Sequence, residues 1–421
     1  MANSSKIEMQ EIGGGRGSDA SPLATTVSTT TSALSSKLSS ATTAATDFAK
    51  SMYSRVQTAD PLQVGLCVLL AVVLSFAIWY IIYKVNQKKD EIESTYVITN
   101  NDLKPFGASR AFANLGFDVS TLPLRNFYIK TAINCCCLGE WKDNYVDIVA
   151  LQSAITDGYR CLDFEIYSEN DKPVVAASTK SSFYYKETYN SVPFLDAMAA
   201  ISQIAFTTTK TPNSTDPVFI HLRIKSKNKK IIPEIVSAIN QQFGNRLLGP
   251  NYNYVFNGNN LGQVPMSELV GKVIIMADIS NPLCVDNDLP LYQVINFGSN
   301  SPFLHQLQYE MGVKNTPNMD DLIDHNKKNM SIVFPDDPFK ENVNFNVSKA
   351  FGCQFIGMMN QVKDLNLQIY NKAFNDVGSA FMLKPPELCY QPVVIETPPP
   401  QKPELSFAGR NYQTDYASWS V

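Results

Sequence analysis

Between Pro61 and Tyr83 the chain carries no charged residue, and the centre of this run, Val64–Leu74, is apolar throughout. A helix needs roughly 20 apolar residues to cross a bilayer, so the run has the length for one full pass. Trp79, Tyr80 and Tyr83 stand at its C-terminal end, where amphipathic rings favour the headgroup level. A buried helix of a soluble protein normally keeps a polar face, and this run has none. The reading is a single transmembrane helix over 61–83. Residues 1–60 precede it without a short basic start, so it is not read as a cleavable signal peptide. Lys84, Lys88 and Lys89 follow it closely, whereas Lys50 and Arg55 precede it at greater distance. That bias points the C-terminal side towards the cytoplasm.

The span divides the chain. Residues 1–58 are rich in Ser, Thr and Ala and bury too little apolar surface to fold alone. They are read as a disordered segment, with a surface helix inside Ala33–Arg55 as the alternative. Residues 84–122 are expected to be a juxtamembrane linker. Residues 392–421 form a tail whose Thr397–Pro403 stretch is proline-rich and extended, a candidate ligand for protein partners. The remainder is long enough for one large domain. A 44% hydrophobic and 18% charged composition supports a sizeable core, and a net charge of −4 offers no bulk case for nucleic acid. The 8 cysteines include no C-x-x-C pair, so neither a zinc site of that type nor a disulfide framework is expected. Free thiols fit a reducing compartment. Asn213, Asn329 and Asn346 head glycosylation sequons, which are short enough to arise by chance.

From about Ser94 to Tyr390, strand-like and helix-like runs alternate. Phe127–Lys130, Cys161–Ile166, Pro217–Arg223 and Lys272–Met276 read as strands; Val146–Thr156, Pro193–Ala205 and Ile232–Gln242 read as helices. Repeated strand–helix units predict a parallel sheet with helices outside. The length suits a single (β/α)8 barrel.

Particular phrases go further. Phe127–Cys136, Gly158–Tyr167, Lys172–Ser178, Pro217–Arg223 and Ser267–Ile275 follow one another as the opening phrases of the eukaryotic-type phosphoinositide-specific phospholipase C barrel do. His325–Pro335, Asn344–Asn346, Gly352–Phe355 and Tyr370–Pro385 are similar to its closing phrases. The chain thus resembles that family over about 123–390. The resemblance implies an α/β fold, a TIM-type barrel of the phospholipase C-like phosphodiesterase kind. Its first half would be 123–280, its connector 281–296 and its second half 297–391.

The family cleaves a phosphodiester with two histidines and a calcium ion held by oxygen ligands. The histidine positions are occupied here by Ile133 and Ala177, which have no proton to give or take. The calcium ligands fall at Asn134, Asp163, Glu165 and Arg223. A guanidinium offers only donors and a fixed positive charge, so Arg223 is expected to repel calcium and to pair with the carboxylates instead. The resemblance therefore implies calcium in active relatives and no metal or other cofactor here. The family's substrate-binding arginine falls at Ile332, and the tyrosine after it at Phe334.

What remains for chemistry is sparse. The only histidines are His221, His305 and His325. His221 is the single candidate base, His305 is expected on a helix face, and His325 on a surface helix. Ser299 and Ser301 are candidate residual polar contacts near the site. Cys135–Cys137 are open between a reactive or acylated site and buried small hydrophobes. Lys225, Lys227, Lys229 and Lys230 are open between a contact for anionic phospholipid headgroups and a solvated loop. The reading is a membrane-anchored, non-catalytic binding or structural protein, with a virion membrane as one setting. The alternatives are a metal-independent phosphodiesterase built on His221 and Arg223, or a headgroup reader without turnover.

Overall fold

The computed structural model describes residues 60–95, 103–113, 115–180, 184–253, 260–336, 341–392 and 407–421, with isolated positions at 43, 46–51, 53–54, 399 and 402. The expected Ser/Thr/Ala-rich segment 1–58 and the proline-rich stretch at 397–403 lie mostly outside these. The chain divides into two units, Met1–Val85 and Asn86–Val421.

In the first unit the helix α1 begins at Pro61; it ends at Thr95, inside the second unit. Proline is suited to a helix start because its missing N–H has no partner there anyway. The Asp60 carboxylate accepts the Leu62 N–H at 3.2 Å and caps the first turn. Side chains from Pro61 to Tyr83 are predominantly exposed, and α1 is long and apolar enough to be a candidate membrane span. Trp79 stacks on Tyr83 with ring centroids 5.9 Å apart. The helix continues beyond the apolar run, where Lys84, Gln87, Lys88, Lys89, Glu91 and Glu93 are good helix formers and no Gly or Pro intervenes.

The second unit is built on eight strands: β1 (Phe127–Ala132), β2 (Cys161–Glu169), β5 (Val218–Ile224), β6 (Val273–Asp278), β7 (Phe297–Ser299), β8 (Leu304–Gln308), β9 (Met330–Phe334) and β10 (Phe355–Met358). They run side by side in the order β7-β6-β5-β2-β1-β10-β9-β8, with every pair along that path parallel. The two ends of the path, β7 and β8, are joined by a tight turn that carries the isolated backbone bridge Ser301–Leu304. The result is a nearly closed barrel, as the strand–helix alternation predicts. Helices α2 (Ile148–Thr156), α3 (Phe194–Ile204), α4 (Ile231–Phe243), α5 (Met319–Lys328), α6 (Phe345–Ala350) and α7 (Leu365–Val377) lie between strands. On α4, Ile231, Ile232, Ile235, Val236, Ile239 and Phe243 are buried, the apolar stripe that seats a helix on a sheet. A flap of β3 (Lys172–Ala176) and β4 (Val192–Pro193) pairs antiparallel with β2, and β11 (Phe381–Leu383) pairs antiparallel with β1. A separate C-terminal hairpin pairs β12 (Asn411–Gln413) with β13 (Ser418–Ser420).

All seven residues of β5 are buried, as are the first seven of β2, because both faces of a parallel sheet are covered. Polar side chains on these strands must therefore find partners inside the protein. His305 departs from expectation. It lies on β8, not on a helix, because Leu304–Gln308 pairs in parallel along Met330–Phe334; the strand partner overrides the local pattern. Its ring stacks on that of His325, with centroids 3.6 Å apart, and His325 Nε2 donates to the Met330 carbonyl at 3.0 Å.

Two predictions follow from this packing. A Cβ at Gly357 would collide with the Ile133 side chain and come within 2.7 Å of the Val333 carbonyl oxygen. Overpacking of this kind costs about 1–3 kcal/mol, so Gly357→Ala should lower the urea midpoint of unfolding by that equivalent; an unchanged midpoint would contradict the packing. Burial, assisted by the neighbouring His305, lowers His325 to about 4 from its ordinary 6.5. A depressed histidine stabilises the fold above 6.5 and loses that contribution as pH falls towards 4. The wild-type melting temperature should drop more over that interval than that of His325→Gln.

Candidate functional site

Period-two alternation sets Asp163 and Glu165 on one face of β2, and His221 and Arg223 on one face of β5. The register then places Asp163 beside His221 and Glu165 beside Arg223. Arg223 is the hub. Its Nε donates to Asp163 Oδ1 at 2.9 Å and its Nη2 to Asp163 Oδ2 at 2.6 Å. Its Nη1 donates to Glu165 Oε1 at 2.6 Å, and Nη2 also donates to Asn134 Oδ1 at 2.9 Å. The Phe334 ring lies against the guanidinium, with its centroid 4.9 Å from Cζ. The planar fork of arginine suits paired carboxylates in a way an ammonium does not.

Further groups complete the cluster. Asn134 follows β1 with a φ of 47°, a left-handed conformation that asparagine tolerates, and its backbone N–H donates to Asp163 Oδ2 at 3.1 Å. Tyr167 Oη donates to Glu165 Oε2 at 2.6 Å, and the Ser178 N–H donates to the same oxygen at 3.0 Å. His221 Nδ1 is 2.7 Å from Asp163 Oδ1, and its Nε2 is 2.8 Å from Ser299 Oγ. Ser299 Oγ also lies 3.1 Å from Gln306 Oε1. Burial alone would raise the Asp163 carboxyl. The Arg223 guanidinium and the His221 ring outweigh it and hold the group well below the ordinary carboxylate range. Burial acts against charge on Arg223 too, and Asp163 and Glu165 reverse it, raising the guanidinium above its ordinary value.

The sequence-selected residues divide as follows. Asn134, Asp163, Glu165, Arg223, His221 and Ser299 come together in this cluster. Ser301 does not: its Oγ accepts the Phe303 and Leu304 N–H groups at 3.2 Å each and holds the β7–β8 turn. Ile133 follows β1 and Ala177 follows β3, both buried. Cys135, Cys136 and Cys137 are buried, and burial pushes each thiol up, which disfavours a reactive thiolate. Lys225 is buried. Lys227 lies over the Tyr184 ring, Lys229 pairs with Asp286 at 2.8 Å, and Lys230 pairs with Asp171 at 2.7 Å. Asn213 is fully buried, its side chain engaged by Arg160 and the Gly158 carbonyl. Tyr167 and Gln306 are members that sequence reasoning missed. Tyr167 had a signal, since it continues the alternation of Asp163 and Glu165; Gln306 had none.

Calcium takes six to eight oxygens at about 2.3–2.6 Å. Here the oxygens of Asn134, Asp163 and Glu165 already surround a guanidinium, whose donors occupy the space between them. The residues present do not fit a bound calcium ion. Among the described residues no group of three or more His, Cys, Asp or Glu side chains is disposed to hold a metal.

Fold and cluster together define a nearly closed parallel barrel with a polar cluster between β2 and β5. Residues 120–278 match the family model for the phosphatidylinositol-specific phospholipase C X domain. Among solved structures, PLC21 of L. pealei is similar with a TM-score of 0.52 at 16% identity, and PLC21 of S. officinalis with 0.51 at 16%. Each likeness covers 64% of this chain and 38% of the other, so the chain spans well under two thirds of those proteins. No curated protein matches the chain by sequence. The similarity to phosphatidylinositol-specific phospholipase C therefore consists of the X-domain match over residues 120–278 and of the barrel fold.

Replacing Arg223 tests the hub. Arg223→Met leaves two buried carboxylates without their cation, which costs about 3–5 kcal/mol. The pH response should also change sign. In the wild type the depressed Asp163 contributes stability above its unfolded pKa and loses it only as pH falls through its lower folded value. Without Arg223, burial is opposed only by the His221 ring and the Asn134 N–H, the folded carboxyl rises, and the variant gains stability relative to the wild type between pH 7 and pH 5. Denaturant titrations at both values measure this; equal slopes for the two proteins would refute the hub assignment.

Proposed function

We propose that this chain is a membrane-anchored phospholipase C-like protein without hydrolytic activity, acting as a binding or structural component at a membrane surface. The barrel side of α1 faces the cytoplasm in this reading, in line with the lysines that follow the apolar run; a virion membrane is one setting that fits. The carrying observation is Arg223, whose four hydrogen bonds engage both carboxylate oxygens of Asp163, Glu165 Oε1 and Asn134 Oδ1. Catalysis of this kind needs groups that titrate near neutrality beside the reacting phosphate. Ile133 and Ala177, the positions that match the family's histidines, cannot supply them. A fold keeps its packing when its chemistry is lost, since the two rest on different residues.

A second reading has one observation in its favour. Asp163, His221 and Ser299 form a line of hydrogen bonds of 2.7 and 2.8 Å, the order in which a carboxylate, a base and a hydroxyl act in nucleophilic catalysis. Against it, all three side chains are fully buried, so a phosphodiester has no route to the Ser299 hydroxyl. The line is better explained as satisfaction of buried polar groups.

The test uses full-length protein in phospholipid nanodiscs containing phosphatidylinositol, with calcium or with chelator. Release of water-soluble inositol phosphate should equal the empty-disc blank in both, and calcium should leave the melting temperature unchanged. Turnover that disappears in His221→Ala would replace this reading with the metal-independent phosphodiesterase.

A further inference from the structure

The end of α1 carries a pattern that the apolar run does not. Residues 87, 88, 91, 92 and 95 are half-buried, whereas 86, 89, 90, 93 and 94 are exposed. That spacing is one face of a helix, here packed within the Asn86–Val421 unit. Lys88 Nζ pairs with Asp147 Oδ2 at 3.1 Å and lies over the Tyr145 ring, 5.8 Å from its centroid. Glu91 Oε1 accepts from Asn144 Nδ2 at 3.0 Å. The Thr95 carbonyl accepts from Ser153 Oγ at 3.3 Å. Asn144–Asp147 lead into α2, and Ser153 lies on it, so the helix end is fastened at three successive points along one element.

Beneath it lies a cavity of about 80 Å³, lined by Ser94, Thr95, Ile133, Cys135, Cys137 and Asn360 among others. At about 30 Å³ per water, that is room for two or three waters. Asn360 Oδ1 is buried there without a hydrogen-bond partner. Ile133 and Cys135 follow the C-terminal end of β1, and Asn360 follows that of β10. This is the end of a parallel barrel where loops build sites. The space left is too small for a sugar phosphate.

We propose that residues 86–95 form an intramolecular plug over the β1–β10 side of the barrel mouth, so that a ligand of headgroup size enters there only when the helix end is displaced. The contacts described for the plug are mostly polar: the Lys88–Asp147 ion pair, Lys88 over the Tyr145 ring and two hydrogen bonds, with Ile92 half-buried beside them. Surface contacts of this type contribute little each, so a competing partner can release it without unfolding the barrel.

Two measurements on the full-length protein in nanodiscs test this. Zero-length carbodiimide coupling, read by peptide mass spectrometry, should join Lys88 to Asp147 in the unaltered chain, alongside Lys229 to Asp286 as a positive control. Coupling of the control pair alone would overturn the proposal. Maleimide labelling of Cys135 and Cys137 should be slow in the wild type and in Lys89→Glu, which alters the exposed face. It should rise at least tenfold in Lys88→Glu combined with Glu91→Ala. Equal rates in the double variant and the wild type would mean that the helix end covers nothing.

Discussion

The interior of this barrel depends on one guanidinium. Asp163 and Glu165 sit among the seven buried residues that open β2, where an unpaired carboxylate is prohibitively costly. Arg223 neutralises one of the two charges and binds both groups. The charge left over is spread among dipoles: the Asn134 and Ser178 N–H groups, the Tyr167 hydroxyl and the His221 ring all approach the carboxylate oxygens. A buried ion pair by itself is weak evidence of stability. This one is a fully hydrogen-bonded network, and in such networks the cost of a missing member exceeds the gain from any one bond.

That arrangement constrains what the site can do. An oxygen cage presents its acceptors to whatever cation enters it. Here the cation is covalently part of β5 and cannot exchange. The cluster therefore behaves as a rivet between β2, β5 and the turn after β1. Close packing is seen again where β1 ends. Ile133 fills the volume above Gly357 so closely that a single added carbon there has nowhere to go. The two contacts act at different places and by different forces, one electrostatic and one steric.

The helix end at 86–95 is held differently. It lies over loops that follow β1 and β10, and the contacts it makes are mostly polar and peripheral, unlike the buried Arg223 network. The two are also unequal in strength. Loss of Arg223 strands two charges inside the barrel, whereas release of Lys88 or Glu91 returns groups to water.

Much of this was legible in the order of residues. An uncharged apolar run implies a helix, since α1 can satisfy its own backbone. Alternation along Cys161–Ile166 and Pro217–Arg223 implies strands with Asp163 and Glu165 on one face and His221 and Arg223 on another. These are local rules, and local rules act through neighbours a few positions apart. Other outcomes required the folded chain. That Arg223 meets Asp163, 60 residues away, follows from parallel pairing of β2 with β5, and a one-residue slip would have turned one of them to the opposite face. The placement of His305 on a strand, the role of Ser301 in a turn, the burial of Lys225 and the docking of Glu91 on Asn144 likewise depend on partners distant in sequence. Hydrophobic periodicity declares which way a side chain points; only tertiary packing decides what it meets there.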